Sequence, residues 1–517
     1  MLPKGLKYTE WQGAEAPKIK MAKFCLDFLS DLFLTPRACR VTGTPISPAP
    51  PQLASRWPLT IFLLLILMSG SAEAAETALL QANFSKAEGR IKALHGVNNG
   101  PICFGGIVDL SERHRELNLP CTRLHDCAWP HPVVVDIPTI FPDFSADAED
   151  PKSYHFDKTD DYLAALVPLT KRVIYRLGTS IEHTQRRYHT FPPADAEQWA
   201  RVCLGIIRHY NEGWAGGFKH GILDFEIWNE PDLGPAMWAG KPEQYFALYA
   251  CAARAIKAHD AKLRVGGPAL ANATGEFAEA FLKFAREQRL PLDFFSWHTY
   301  TSDPASLKRL CLSVRALLDR HGFKATQSLL TEWNCFGGDW KKLFSEPDYC
   351  KEIFARNSGP EGAAFLASSL ILMQDAAVDE ACFYTADTQW FGVFDEFGVP
   401  KKTFYALKAS RLLMDTPLRV AVTGGKEPTG LAIAAGLSED RKTAQILVSN
   451  LRDPRRVFDV EIAGLPFASK KPTAEIFILD DTHNLESIRH VRSAPRWIIK
   501  QEIPAATVVL LRMTAGK

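Results

Sequence analysis

The sequence predicts a (β/α)8 barrel followed by an all-β sandwich, and three observations carry that reading. From residue 90 to 415, eight short β-type runs alternate with helical stretches, the order that builds a parallel sheet covered by helices. The turn after the first run, His95-Gly96-Val97-Asn98-Asn99-Gly100, is not the Gly-rich phosphate loop expected there in an open doubly wound sheet. Beyond Leu413 the helical periodicity stops, and β-type runs separated by turn residues take over.

The barrel strands are expected at Ile91–Val97, Thr122–Leu124, Val173–Leu177, Asp224–Trp228, Arg264–Gly267, Asp293–Trp297, Ser328–Thr331 and Ala381–Tyr384. Helices are expected over Ala194–Tyr210, Pro242–His259, Glu276–Gln288, Ser306–His321 and Pro360–Asp375. In the first of these, Trp199, Val202, Cys203, Ile206, Ile207 and Tyr210 share one face at a 3.6-residue period. The β domain reads as Leu418–Val422, Gly430–Ala435, Ala444–Ser449, Val457–Ile462, Ala474–Leu479 and Ala506–Leu511. Gly424-Gly425, Asp453-Pro454 and Asp480-Asp481 mark turns between these runs. A segment before the barrel, around Ala78–Lys86, is a candidate partner for its first strand. The division is then 1–55 as a poorly ordered extension, 56–75 as a signal peptide, 76–415 as the catalytic barrel and 416–517 as the sandwich.

Lys and Arg total 60 against 59 Asp and Glu, a formal charge of +1. That balance provides no general attraction for nucleic acid or an acidic membrane, so neither is expected as a partner. Twelve Trp and 31 Phe are a generous aromatic supply, and sugar rings stack their apolar faces on such side chains. Of 11 Cys, two (Cys25 and Cys39) precede the signal segment, and no C-x-x-C pair suggests zinc. Two readings stand for Cys121 and Cys127: a disulfide with each other or with Cys103, or buried free thiols.

Pro58 to Met68 is an apolar run preceded by Arg56 and followed by Ala72-Glu73-Ala74. A basic flank, a short apolar stretch and an A-x-A site make a secretory signal. A membrane span needs roughly 20 residues. Residues 1–55, with the Pro-rich stretch Pro45–Pro51, precede the run. Either translation begins downstream of Met1 or the run is an uncleaved anchor. Both readings place residues after Ala75 outside the cytoplasm, secreted or periplasmic.

In a (β/α)8 barrel, chemistry sits at the carboxyl ends of the strands. The fourth run leads into Trp228-Asn229-Glu230-Pro231, and the seventh into Thr331-Glu332-Trp333-Asn334. Alternation puts Glu226, Trp228 and Glu230 on one face, and Pro231 stops the strand. Glu230 and Glu332 are 102 residues apart, three units at roughly 34 residues per unit. Strands four and seven then oppose each other across the mouth. Two carboxyls about 5 Å apart around a glycosidic bond suit double displacement with retention. Asn229, beside the acid, is placed to bond a sugar 2-hydroxyl.

The segment Leu223-Asp224-Phe225-Glu226-Ile227-Trp228-Asn229-Glu230-Pro231-Asp232 resembles the acid/base motif of glycoside hydrolase family 39, W-x-F-E-x-W-N-E-P-[DN]. Leu223 replaces the first Trp, a departure that touches packing more than chemistry. The resemblance covers about residues 90 to 415 and extends more loosely through the β domain. It implies a retaining glycosidase of the β-xylosidase and α-L-iduronidase group, with Glu230 as acid/base, Glu332 as nucleophile and no metal or cofactor. It implies that His298 contacts sugar hydroxyls and that Tyr300 hydrogen-bonds the nucleophile. It places Arg123 below the nucleophile, with His125 or Asp126 facing the sugar. His95 and Asn98, ending the first strand, are candidates for the pocket lining, and Trp390 for its floor. Asp395 and Glu396 stand where some β-xylosidases hold sugar hydroxyls.

Among sugars, a β-xylosidase-like exo-enzyme is the first expectation. An α-L-iduronidase, an arabinofuranosidase or another family 39 glycosidase is the alternative. Arg186-Arg187 is either a uronate site or two solvated charges. A non-catalytic glycan-binding protein on the same barrel is the rival of a different class, and it would normally have lost one of the two acids.

Overall fold

The computed structural model describes residues 78–515. The proposed extension and signal peptide lie outside the described residues. Eight parallel strands close into a barrel, with each strand beside its neighbours in sequence. They are β1 (Gly96–Asn98), β2 (Thr122–Leu124), β3 (Val173–Leu177), β4 (Asp224–Ile227), β5 (Arg264–Leu270), β6 (Phe294–Thr301), β7 (Gln327–Cys335) and β8 (Glu380–Phe383). Closure is made where Cys382 and Phe383 of β8 pair with Gly96 and Val97 of β1. Gly96 is required there: a Cβ would stand 2.4 Å from Cys121 Sγ and 2.7 Å from Ala381 O.

The strands are buried on both faces, as parallel strands under helices must be. Helix Ala196–Asn211 turns Trp199, Val202, Cys203, Ile206, Ile207 and Tyr210 into the core, the face its periodicity predicts. The helix Pro360–Leu372 has no polar face because two layers cover it: it is buried from Gly362 to Leu372. Its Ser368 Oγ donates to Gly430 O at 2.6 Å, and Ser449 Oγ donates to Ala364 O at 2.9 Å. These bonds join barrel to β domain.

The β domain is one nine-stranded sheet folded over its own core as a sandwich. Its strands are the leading segment Ala78–Arg90, then β9 (Leu418–Thr423), β10 (Leu431–Leu437), β11 (Thr443–Asn450), β12 (Val457–Ala463), β13 (Thr473–Leu479), β14 (Asn484–Arg492), β15 (Trp497–Glu502) and β16 (Thr507–Thr514). The leading strand lies between β9 and β12, antiparallel to the first and parallel to the second. The β domain therefore takes chain from both sides of the barrel. The edge strands β14 and β15 meet where Arg489 Nη2 donates to Lys500 O at 2.7 Å. Nine cysteines among the described residues are free thiols. Cys121 faces Cys382 with sulfurs 3.4 Å apart instead of bonding to Cys127 or Cys103.

Candidate active site

The carboxyl end of β4 does not continue the alternation expected of it. Trp228 (φ 71°) and Glu230 (φ 43°) are left-handed, a conformation that bulky residues seldom adopt. The first turns the Trp228 indole out of the barrel, where Nε1 donates to Met237 O at 2.8 Å and the ring packs on Trp238. The second returns Glu230 to the mouth, its N–H held by Ala269 O of β5 at 2.9 Å. Glu226 points inward and is fully buried.

Glu332 lies within β7, three residues before the strand ends. Thr331 is an extra residue in the pairing with β6, where Leu330 faces Trp297 and Glu332 faces His298. A bulge of this kind re-aims the following side chain. Here it brings Glu332 beside His298 and Tyr300. One oxygen each of Glu230 and Glu332 and a ring nitrogen of His298 lie within 4.8 Å of one another.

Below them Arg123, fully buried, divides its guanidinium among four groups. Nε donates to Glu226 Oε2 at 2.7 Å, Nη1 to Glu332 Oε2 at 3.0 Å and to Asn98 Oδ1 at 3.4 Å, and Nη2 to Asn229 Oδ1 at 2.6 Å. A buried charge is tolerable only with such partners. Tyr300 OH donates to the other oxygen of Glu332 at 2.7 Å, and His298 Nδ1 is 2.8 Å from Glu230 Oε1. Glu230, His298 and Glu332 also have the spacing of a cation site. The guanidinium already matches the charge of Glu332, so the donor set suits a proton-transfer pair better than a metal.

The two acids differ electrostatically. Burial, reinforced by the charge of Asp232, pushes Glu230 up to about 8, so it carries a proton at neutral pH. Burial raises Glu332 as well, and so does Glu230, while His298, Arg123 and the Tyr300 hydroxyl pull it back. Burial lowers His298 to about 4, leaving the imidazole neutral. Arg123 and Tyr300 donate directly to Glu332, and neither donates to Glu230.

The cavity around them has a volume of about 960 Å³ and is also lined by His125, Asp126 and Tyr384. Tyr384 OH donates to Asp126 Oδ2 at 3.2 Å. His125 Nδ1, Asp126 Oδ1 and His298 Nε2 are buried without a protein partner; polar atoms so placed are normally satisfied by water or a ligand.

Most of the residues singled out in the sequence meet here, but several sit elsewhere than expected. His95 precedes β1, so it is at the amino end of the barrel, buried near Leu94, Ser410 and Leu413 and remote from the cavity. The segment Ile91–Leu94, expected to begin this strand, instead places Ile91 and Leu94 beside Ala434 and Leu447 of the β domain. Asn98 lies under the floor, donating to Thr331 O and Cys382 O at 3.0 and 3.2 Å. Asn229 is buried beside Arg123. Trp390 is 60% exposed and stands at the rim, not the floor. Asp395 closes a turn through the N–H groups of Phe397 and Val399 at 2.9 and 2.8 Å, away from the cavity. Arg187 caps carbonyls of its own loop, those of Glu182 and Thr184, and Arg186 covers Tyr188. Sequence reasoning missed Tyr384, Trp340, Phe344 and Phe391 as cavity residues. Tyr384 ended a predicted strand, and that position was the available signal.

A closed barrel with two opposed carboxylates over a buried arginine is the architecture of the (β/α)8 glycosidases. Residues 130–323 match the family described as glycosyl hydrolases family 39, a span that contains Glu230 and stops short of Glu332. A β-xylosidase of Geobacillus stearothermophilus is 28% identical over 319 residues, 55% of this chain and 61% of the relative. One from Caldicellulosiruptor saccharolyticus is 26% identical over 313 residues, 56% of this chain and 60% of the relative. The matched region thus spans less than two thirds of either relative. A glucosidase structure from Croceicoccus marinus superposes with a TM-score of 0.74 at 26% identity, covering 86% of this chain and 100% of that one. Over residues 130–323 the chain is thus similar to glycosyl hydrolases family 39.

Proposed function

We propose that the protein is a retaining exo-glycosidase that releases β-xylose-type sugars by double displacement. One observation carries the reading: oxygens of Glu230 and Glu332 come within 4.8 Å of each other. Retaining enzymes keep their carboxyls about 5 Å apart, whereas inverting enzymes leave room for a water at roughly 6.5–9.5 Å. Glu332, ionised and held by Arg123 and Tyr300, attacks the anomeric carbon. Glu230, protonated, gives its proton to the leaving oxygen and then takes one from water. The side chains of His125, Asp126 and His298 line the cavity and are the candidates for contacts with sugar hydroxyls. Exo action is supported where the loop after β3 meets that after β7, His183 packing on Phe344 with centroids 5.8 Å apart.

The sugar itself is argued from the relatives: two are β-xylosidases, and the glucosidase structure favours glucosides as a second reading. A panel of aryl xyloside, glucoside, galactoside, arabinofuranoside and iduronide, followed by anomer-resolved NMR, tests sugar and stereochemistry together. β-Xyloside hydrolysis with first-formed β-xylose is expected. First-formed α-xylose would overturn retention. Export rests on the Pro58–Met68 run alone. Amino-terminal sequencing of protein recovered outside the cytoplasm is expected to begin after the Ala72-Glu73-Ala74 site, and confinement to the cytoplasm would refute export.

A further inference from the structure

The cavity changes character with height. Its floor is polar and closed, with His125, His298 and Glu332 only 3%, 1% and 7% exposed. The wall above is largely apolar and open: Ile181, Leu233, Ala271, Trp340, Phe344 and Trp390, from five different strand ends, with His183, Thr299 and Thr388 as polar members. Leu233 is 47% exposed and Phe344 64%. Large side chains left in water around a concave site usually mark contact with a ligand or partner.

The wall is fixed relative to the acids. Leu233 belongs to the turn that begins at Glu230, its N–H bonded to Glu230 O at 3.0 Å. It therefore stands on the side where the leaving oxygen receives its proton. Trp340 packs edge-on against the Tyr300 ring at 5.2 Å and lies nearly parallel to Phe344, centroids 6.2 Å apart. Gln389, a polar lining residue, is committed to the floor through Asp126 O and the Tyr384 hydroxyl, both at 3.3 Å. A second sugar could stack on Trp340. Its hydroxyls, however, would lose water against Ile181, Leu233 and Ala271, whose side chains offer no hydrogen-bond partner. Hydrocarbon would lose nothing there and gain burial.

We propose that the leaving-group side of this cavity recognises an apolar aglycone, so that the preferred substrates are glycosides of hydrophobic alcohols and not oligosaccharides. The inference rests on the glycosidase reading above and narrows its substrate class.

An alkyl series tests it, because methyl, butyl, hexyl and octyl glycosides differ little in leaving-group acidity. They are compared below their micelle concentrations, on the sugar identified by the aryl panel, beside the disaccharide of that sugar. kcat/KM is expected to rise at least ~10-fold from methyl to octyl, with the disaccharide below the octyl glycoside. Phe344→Ser and Leu233→Asn are each expected to cut the octyl-to-methyl ratio to less than about one third of its wild-type value. A flat series, or a disaccharide preferred over every alkyl glycoside, overturns the proposal. So does a rise that both variants retain. Failure to cleave any alkyl or aryl glycoside would instead overturn the glycosidase reading.

Discussion

Glu332→Gln is expected to lower turnover of every glycoside by roughly 10⁵-fold, with no dependence on how good the leaving group is. Both oxygens of this carboxylate are occupied, one by Tyr300 and the other by Arg123. The amide keeps the shape but offers no negative charge to attack the anomeric carbon, and it turns an N–H₂ toward one of those two donors. An activated aryl glycoside escapes the need for proton donation but not the need for a nucleophile. Glycosylation therefore fails for it as well. Intact-mass measurement with a slow 2-fluoro glycoside gives a second readout: the native protein is expected to gain one glycosyl unit on Glu332, and the variant none. Wild-type rates in the variant, or a label on another residue, would remove Glu332 from its role.

That pair was legible in the sequence because its signals are local and topological. Asn229-Glu230-Pro231 follows an apolar strand, and the spacing to Glu332 counts out three βα units, so the barrel supplies the geometry. The geometry within each strand end was less legible. Trp228 leaves the inward face through a positive φ, and Thr331 inserts a bulge; neither departs from an ordinary strand pattern in its residues. Helix Trp340–Ser345 carries part of the aromatic wall, and Phe354 of Pro347–Ser358 packs on Trp390 and Phe391, yet the first is too short for periodicity to speak. Strand β14 is mostly exposed along its length, so it shows no alternation to read. His95 was misplaced because apolar residues at the barrel's amino end pack on the β domain as tightly as strand residues pack in a core. For His95 a tertiary partner, not local propensity, decided the outcome.

Glu230→Ala is expected to separate substrates by their leaving groups. For alkyl glycosides the first step loses its proton donor and kcat/KM falls roughly 10³- to 10⁴-fold. For a dinitrophenyl glycoside that step is nearly spared, and water's attack on the glycosyl-enzyme becomes limiting. Azide needs no general base, so it is expected to restore much of that rate and to yield a β-glycosyl azide from a β-linked substrate. The pH profile carries the same assignment. With Glu230 raised to about 8 by burial and the Asp232 charge, the acid is present below that pH and is lost as pH climbs through it. The alkaline fall in kcat/KM near pH 8 is expected to vanish in the variant. Stability follows the same sign. The folded chain holds a proton that the unfolded chain releases near 4.5, so the favourable contribution is complete below 4.5 and disappears as pH rises past about 8. Glu230→Gln is therefore expected to unfold at higher urea than the native protein at pH 9, where the native carboxylate is ionised inside a buried site. An α-azide product would contradict retention, while an alkaline limb that survived the substitution would place the titrating acid elsewhere in the cavity.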